Sequence, residues 1–229
     1  LEAANGSSLH PKAATAFRAK LCDEAIALGR LLVTLLRVQR LYAELPESLG
    51  LLALMLLHDS RRETRADADG RIVPLLEQDR ARWDAGKIRE GRRALAEAGR
   101  VAAPDPYQLQ AAISAQHAEA PSPADTDWHA IARHYRRLEE LQPNPVVRLN
   151  RLIAESYAHG PEEVLPDLEA LTASGGLGGY APLHAALGDA YERAGRTEEA
   201  REAFLTAAGQ TTNRAEAAHL SARAEALSR

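Results

Sequence analysis

From Phe17 onward the apolar positions recur every three or four residues, through Phe17, Leu21, Ala25, Leu28, Leu32, Leu35 and Leu36. Lys20, Asp23, Glu24 and Arg30 fall on the other faces. This is the period of an amphipathic helix, and it predicts one long helix that ends near Tyr42 and is closed off by Pro46. The next stretch, Leu49 to Leu57, is apolar almost all round. It predicts a second helix starting after Pro46, with Glu47 in its first turn, as the most buried element of the chain. It is also the longest apolar run, and it falls well short of the ~20 residues that a membrane-spanning helix needs.

Beyond a charged run, His58 to Glu63, the dipeptide Asp69-Gly70 between short flanks predicts a small β-hairpin near residues 64–73. The helical period resumes at Glu77, passes Trp83 and Ile88 and fades at Gly99. Prolines then punctuate the chain. Pro104 and Pro106 precede a helix over Tyr107–Ala120, and Pro121 to Pro123 separate it from a helix that starts at Asp125 or Thr126 and carries Trp128, Ile131, Tyr135 and Leu138. After Pro143 and Pro145, helical pairs follow: Val146–Ala158 with Glu162–Leu171, and Pro182–Ala194 with Thr197–Ala208. A last helix spans Arg214–Leu227. The chain divides into an N-terminal helical part, residues 12–103, and a repetitive part, residues 104–229.

The repetition is specific. In the tetratricopeptide pattern a small residue lets two helices touch while large residues fill fixed holes. The last pair supplies Leu187, Gly188 and Tyr191 on its first helix, Gly195 at the turn, and Ala200, Phe204 and Ala207 on its second. His184 stands where the pattern has Trp. Gly160 precedes Gly195 by 35 residues and Leu168 precedes Phe204 by 36, so the pair before is a degenerate copy. Ile131, Tyr135, Leu138 and Pro143 have the spacing of a third, with Pro121–Asp127 lengthening its turn. One pair cannot bury its apolar face alone, and stacked neighbours cover it. The expected fold is therefore all-α: a right-handed array of tetratricopeptide-like helical pairs with a small β-hairpin insertion in the N-terminal part.

Composition narrows the function classes. At 229 residues, with aromatics at only 4%, the core must be built mainly from Ala and Leu, both strong helix formers. The single cysteine, Cys22, excludes an intrachain disulfide framework and a multi-cysteine zinc site and fits a cytoplasmic location. A net charge of −4 gives no basic field to draw nucleic acid. No secretory signal opens the chain, and the absence of an initiator Met suggests a fragment. No catalytic, metal or cofactor-binding set emerges. The histidines are scattered without a His-Glu-x-x-His context, Gly175 to Gly179 lack a following Lys-Ser/Thr, and Asp67-Ala68-Asp69-Gly70 lacks the remaining ligands of a calcium loop.

Several ordered runs together resemble the C-terminal extension of a group of bacterial extracytoplasmic-function RNA polymerase sigma factors. They are Leu21 to Ile26 with Gly29 to Leu32, Leu51 to Asp59 with Arg61-Arg62, Asp67 to Gly70, and Gln78 to Asp84. Further along come Pro106 to Ile113, His117 to Pro121, Thr126-Asp127-Trp128, and Asn144 to Val147 with Leu149-Asn150-Arg151. Pro74 after Gly70, and Gln39 to Tyr42 at the first helix end, depart from that pattern. The resemblance implies a regulatory, protein-interaction module that modulates transcription initiation. Its partners would be its own sigma domains or the RNA polymerase core. Promoter DNA would be bound by the absent N-terminal part, residues 1–11 would be the linker from it, and this fragment would touch neither nucleic acid nor membrane. The alternative is a free-standing tetratricopeptide-like adapter that binds a peptide of another protein.

The charged run Asp79, Arg80, Arg82, Trp83, Asp84 is the leading candidate for protein interaction, since Asp79 with Arg82, or Arg80 with Asp84, would share a helix face. Two readings stand. Trp83 is the anchor of a polar dock, Trp and Arg being enriched among binding hot spots, or it packs inward and the ion pairs clasp the hairpin. The resemblance adds Asp127, Trp128 and Asn150 to the interaction candidates. His184, Leu187, Gly188, Tyr191, Gly195, Ala200, Phe204 and Ala207 are assigned to packing between repeats.

Overall fold

In a computed structural model the protein is described over residues 11–67, 73–101 and 103–228. Among these residues the chain is all-helical, with ten α-helices and no strand. They are α1 (Pro11–Val38), α2 (Leu45–Asp59), α3 (Ala85–Val101), α4 (Pro106–Glu119), α5 (Trp128–Leu141), α6 (Pro145–His159), α7 (Leu165–Ala173), α8 (Ala181–Arg193), α9 (Thr197–Gln210) and α10 (Arg214–Ala226). None of the described helices is long and apolar enough to cross a membrane.

The starts follow from local chemistry. The side chains of Asp105, Asp127, Asn144 and Asn213 accept hydrogen bonds from the backbone N–H groups of Gln108, Ala130, Val147 and Ala215, at 2.8–3.0 Å. Each satisfies a donor that the first helical turn leaves free. Prolines at the first positions of α4, α6 and α8 cost nothing there, because their missing N–H would have no partner in the helix.

Helices pack mainly on their sequence neighbours, and the core forms a succession of clusters. Leu49, Leu52, Ala53, Leu56 and Leu57 of α2 sit between α1, α3 and α4. Ile113, Ile131, Ala132 and Ala154 join α4, α5 and α6. Leu149, Leu152, Leu168, Leu183 and Leu187 fill the space between α6, α7 and α8. Phe204, Ala200, Ala207, Leu220 and Ala224 close the C-terminal end. At α8 and α9 the approach is close: a Cβ on Gly188 would stand 2.6 Å from the Phe204 ring.

Four expectations change. First, α1 stops at Val38, not near Tyr42. Arg40 adopts φ +56° and the Leu41 N–H turns back to the Leu36 carbonyl at 2.9 Å, a left-handed C-terminal cap on a residue other than glycine. Second, of the apolar series beginning at Phe17, only Leu36 among the large side chains is buried. The inward face of α1 is Ile26, Val33 and Leu36. Gly29 lies against Leu52 and Met55 of α2 on this face, and ion pairs accompany the orientation: Arg30–Glu90 and Arg37–Glu97, both at 2.6 Å, link α1 to α3 running in the same direction, and Asp23 meets Arg62 at 2.7 Å.

Third, Glu77 to Asp84 is not helical. Short 3-10 turns at Leu75–Glu77 and Arg80–Arg82 are separated by extended backbone at Gln78, Asp79 and Trp83. The reason is capping: the Asp79 carboxylate accepts from the Ala81 N–H and that of Asp84 from the Lys87 N–H, so each aspartate starts a new turn. Fourth, the β-hairpin is not supported. Its turn, Asp69-Gly70, lies outside the described residues. Among the described residues its flanks share the backbone hydrogen bond from Val73 N–H to the Arg65 carbonyl at 3.0 Å, and then enter 3-10 turns at Arg62–Thr64 and, after Pro74, at Leu75–Glu77. Pro74 has no N–H to extend a ladder. Nearly all of the expected linker, residues 1–11, also lies outside the described residues; only Pro11 falls within them.

Candidate functional site

The segment Gln78–Asp84 is held from both sides. Gln78, buried, donates to the Val73 carbonyl at 2.9 Å and accepts from Thr64 at 3.3 Å. The Asp84 N–H donates to the Ser60 carbonyl at 2.8 Å. Arg82 reaches the Glu63 carbonyl at 3.5 Å. The expected pairs Asp79–Arg82 and Arg80–Asp84 do not form, because the residues share no helix face. Arg80 instead lays its guanidinium on the end of α4, where Nη1 donates to the carbonyls of His117 and Ala120, both at 2.9 Å, and Nη2 to Thr126 Oγ1 at 3.1 Å. A cation there meets the negative end of the helix dipole. Burial holds the Arg80 guanidinium below its ordinary pKa, with Asp125 acting in the opposite sense. Its charge stands 5.4 Å from the centre of the Trp83 ring, and Trp83 is 6% exposed.

From Arg80 a row of ring and charged side chains crosses the rest of the molecule. The His117 ring on α4 meets the edge of Trp128 on α5 at 5.3 Å. Trp128 stacks on Tyr157 of α6, with centroids 4.4 Å apart and planes 17° from parallel. Offset stacks of this kind add about 0.5–1.5 kcal/mol beyond the area they bury. Arg193 of α8 covers Tyr157 at 4.2 Å and donates to the hydroxyl and carbonyl of Ser156. The Tyr157 hydroxyl donates to Asp189 at 3.1 Å, and Arg223 of α10 donates to the other Asp189 oxygen at 3.2 Å and to Glu192. Burial first, and then the Asp189 charge, push the Tyr157 hydroxyl up to about 12, so it remains a donor. Beside the row lies an open hollow of about 230 Å³, lined by Ile153, Tyr157, Leu168, Pro182, Ala186 and Asp189.

The residues singled out in the sequence separate into groups. Arg80, Trp83 and Trp128 belong to this connected row. Asp79, Asp84 and Asp127 are capping residues at its margins, and Arg82 points to the Glu63 backbone. Asn150 is half-buried on α6 and joins none of these contacts. Leu187, Gly188, Ala200, Phe204 and Ala207 are buried between α8 and α9, Gly195 turns the chain at φ +75°, and His184 is half-buried. The hydroxyl of Tyr191 donates to Glu169 at 2.7 Å under the Arg196 guanidinium. Sequence reasoning missed Tyr157, Asp189, Arg193 and Arg223; only Asp189 and Arg193, four apart on α8, have a local spacing to mark them, and Tyr157 and Arg223 lie about thirty residues to either side. Among the described residues no cluster of three or more His, Cys, Asp or Glu could hold a metal ion. His129 and His159 meet at 4.9 Å without a third ligand.

With the geometry in place, comparison with known proteins locates part of it. Residues 7–99 match the family of unknown function DUF6596. The match covers α1, α2, most of α3 and the Gln78–Asp84 segment, and stops short of the row from His117 to Arg223. Over 202 residues the chain is 46% identical to an uncharacterized protein of Rhizobium meliloti, covering 88% of this chain and 46% of that protein. The chain thus spans about half the length of this relative. No solved structure matches it.

Proposed function

We propose that the chain is a protein-interaction module without catalytic activity of its own: the regulatory C-terminal part of a bacterial extracytoplasmic-function sigma factor, acting in the cytoplasm on its own sigma domains or on the polymerase core. In this reading α4 to α10 form a right-handed array of tetratricopeptide-like pairs. The observation that carries it is the row His117, Trp128, Tyr157, Asp189, Arg193 and Arg223, which brings stacked rings and charges from five helices onto one path. Aromatic and Arg side chains are the usual anchors of protein interfaces. The touching of α8 and α9 at Gly188 and Phe204 supports the paired-helix reading, and a relative about twice as long leaves room for the sigma domains.

The hollow beside Tyr157 favours a second reading, a free-standing adapter in which it receives an apolar side chain of a foreign peptide. Promoter-dependent transcription in vitro separates the two. The longer protein is compared with versions lacking residues 182–229 or carrying Tyr157→Ala with Asp189→Ala, the fold of the sigma domains being checked by circular dichroism. The sigma-factor reading expects altered transcription and capture of the sigma domains by the 229-residue chain. Unaltered transcription, with no capture, refutes it.

A further inference from the structure

The outward face of α1 carries a second apolar pattern that nothing among the described residues covers. Phe17, Leu21, Leu28, Leu31, Leu35 and Val38 follow one another at alternating steps of four and three residues once Glu24 is counted in its place, and Leu32 lies alongside. All seven are exposed, Leu28 by 66% and Val38 by 68%. The strip runs for about 32 Å at 1.5 Å per residue. Its spacing is the heptad of a helix that packs lengthwise against another helix. The inner face is already committed: Ile26, Val33 and Leu36 are buried, and at Gly29 the backbone comes so close to Met55 that a Cβ would stand 2.8 Å from its methyl. Monomers seldom leave so continuous an apolar strip in water.

We infer that a second copy of this chain covers the strip from Leu28 to Val38, with the two α1 helices antiparallel about a two-fold axis near Leu31 and Leu32. The charge pattern selects this occupant. Glu24 interrupts the strip near its N-terminal end, where Lys20 on the same helix stands 3.8 Å from it. Arg40 stands exposed just past the C-terminal end, with no ion pair among the described residues. Between them the strip is apolar. In the antiparallel arrangement Leu28 lies over Leu35 of the second copy, Leu31 over its Leu32, and each Glu24 reaches the second copy's Gln39 and Arg40. A parallel arrangement would set Glu24 against Glu24 and Arg40 against Arg40, which is costly between like charges. Leu28, Leu31, Leu32, Leu35 and Val38 of each copy meet in this register, while Phe17 and Leu21 extend past the end of the other α1; with their flanks the five cover on the order of 1,000 Å², the low end for specific interfaces. A two-fold contact of one patch with itself is the commonest way soluble chains associate.

Sedimentation velocity of the 229-residue chain over micromolar concentrations tests this. The expected species is a dimer of twice 24.8 kDa. Leu28→Lys with Leu35→Lys should yield monomers whose helical far-UV circular dichroism is unchanged, because both side chains point away from the core. Glu24→Arg alone should weaken the dimer about tenfold, and Glu24→Arg with Arg40→Glu should restore it. A chain that is monomeric throughout, including one whose strip is covered by other parts of a longer protein, overturns the inference. So does a dimer that survives the two lysines, or a charge reversal that fails to restore association.

Discussion

A methyl group added at Gly188 and one added at Gly209 should change stability in opposite directions. In a helix interior, replacing Gly by Ala ordinarily stabilises by about 0.8–1.0 kcal/mol, since Ala gives up less conformational freedom. Gly209, exposed near the end of α9, has no atom within 4 Å of the new carbon, so Gly209→Ala should realise most of that gain. At Gly188 the new Cβ would stand 2.6 Å from Cδ1 and Cε1 of Phe204 and 2.9 Å from its Cγ. Comfortable carbon contacts lie about 1 Å further out. Phe204 is fully buried among Ala200, Ala207, Leu220 and Ala224. It has no exit, so α8 and α9 must part. Overpacking of this kind costs about 1–3 kcal/mol, and against the propensity gain Gly188→Ala should lose on the order of 1–2 kcal/mol net. Urea unfolding followed by far-UV circular dichroism reads both values as midpoint shifts at constant slope. In the Gly188→Ala background, Phe204→Leu should cost less than it does alone, because the two residues are coupled. If Gly188→Ala is as stable as the parent, the helices do not touch there and the paired packing of α8 and α9 is wrong.

Two further outcomes follow from the charges. Asp59 has a side chain 7% exposed, between Arg62 at 2.7 Å and Lys87 at 2.7 Å. Asp59→Ala should lower stability by about 2 kcal/mol in the same urea assay, less than for a fully buried pair because both cations can partly rehydrate. Asp23→Ala, at the solvent end of the same network, should leave the midpoint unmoved. The imidazole of His117 is pushed down to about 4, first by burial and then by Arg80 and Arg61. The unfolded chain, with an ordinary histidine near 6.5, therefore takes up the proton first as pH falls. Stability should be complete above pH ~6.5 and decline toward pH ~4 by on the order of 3 kcal/mol from this group. His134 and His184, also lowered by burial, act in the same direction. His117→Gln should flatten the decline in urea midpoints measured against pH, and an unchanged slope would refute the assignment.

The helices from α4 onward were legible because their boundaries are written locally. Asp105-Pro106, Asp127, Asn144-Pro145, Pro182 and Asn213 stop one helix or start the next by chemistry that reaches only three residues. The orientation of α1 was not legible, since its sequence has two apolar faces and period alone does not say which one meets α2. The fit of Ile26, Gly29, Val33 and Leu36 against Leu52 and Met55 of α2 decides it, and ion pairs to Glu90 and Glu97, some 60 residues away, accompany it. Gln78–Asp84 misled for a different reason: aspartates three or four residues from arginines serve equally as partners on a helix face and as caps that end it, and here they cap. Of the row through Tyr157, Asp189, Arg193 and Arg223, only Asp189 and Arg193, one turn apart on α8, have a local signature. Tyr157 and Arg223 join them only because α6 and α10 come up to α8.

This placement also changes which residues have surface to offer a partner. Trp83, the most attractive anchor in the sequence, has its ring inside the fold, with Arg80 between it and the last carbonyls of α4. Docking through Trp83 would first have to break those charge-assisted bonds, each worth about 1.5–3 kcal/mol, and then leave the α4 carbonyls without their cation. Contact through Tyr157, Asp189 and Arg193 requires no such opening, and neither does contact through the outward strip of α1, whose side chains already face solvent. The segment around Arg80 is therefore better placed to fix how α4 and α5 leave the N-terminal helices than to meet another protein. Arg80→Lys separates these roles, because an ammonium cannot span two carbonyls and a hydroxyl in one plane as a guanidinium does. Lower stability with partner capture intact is the outcome this geometry requires.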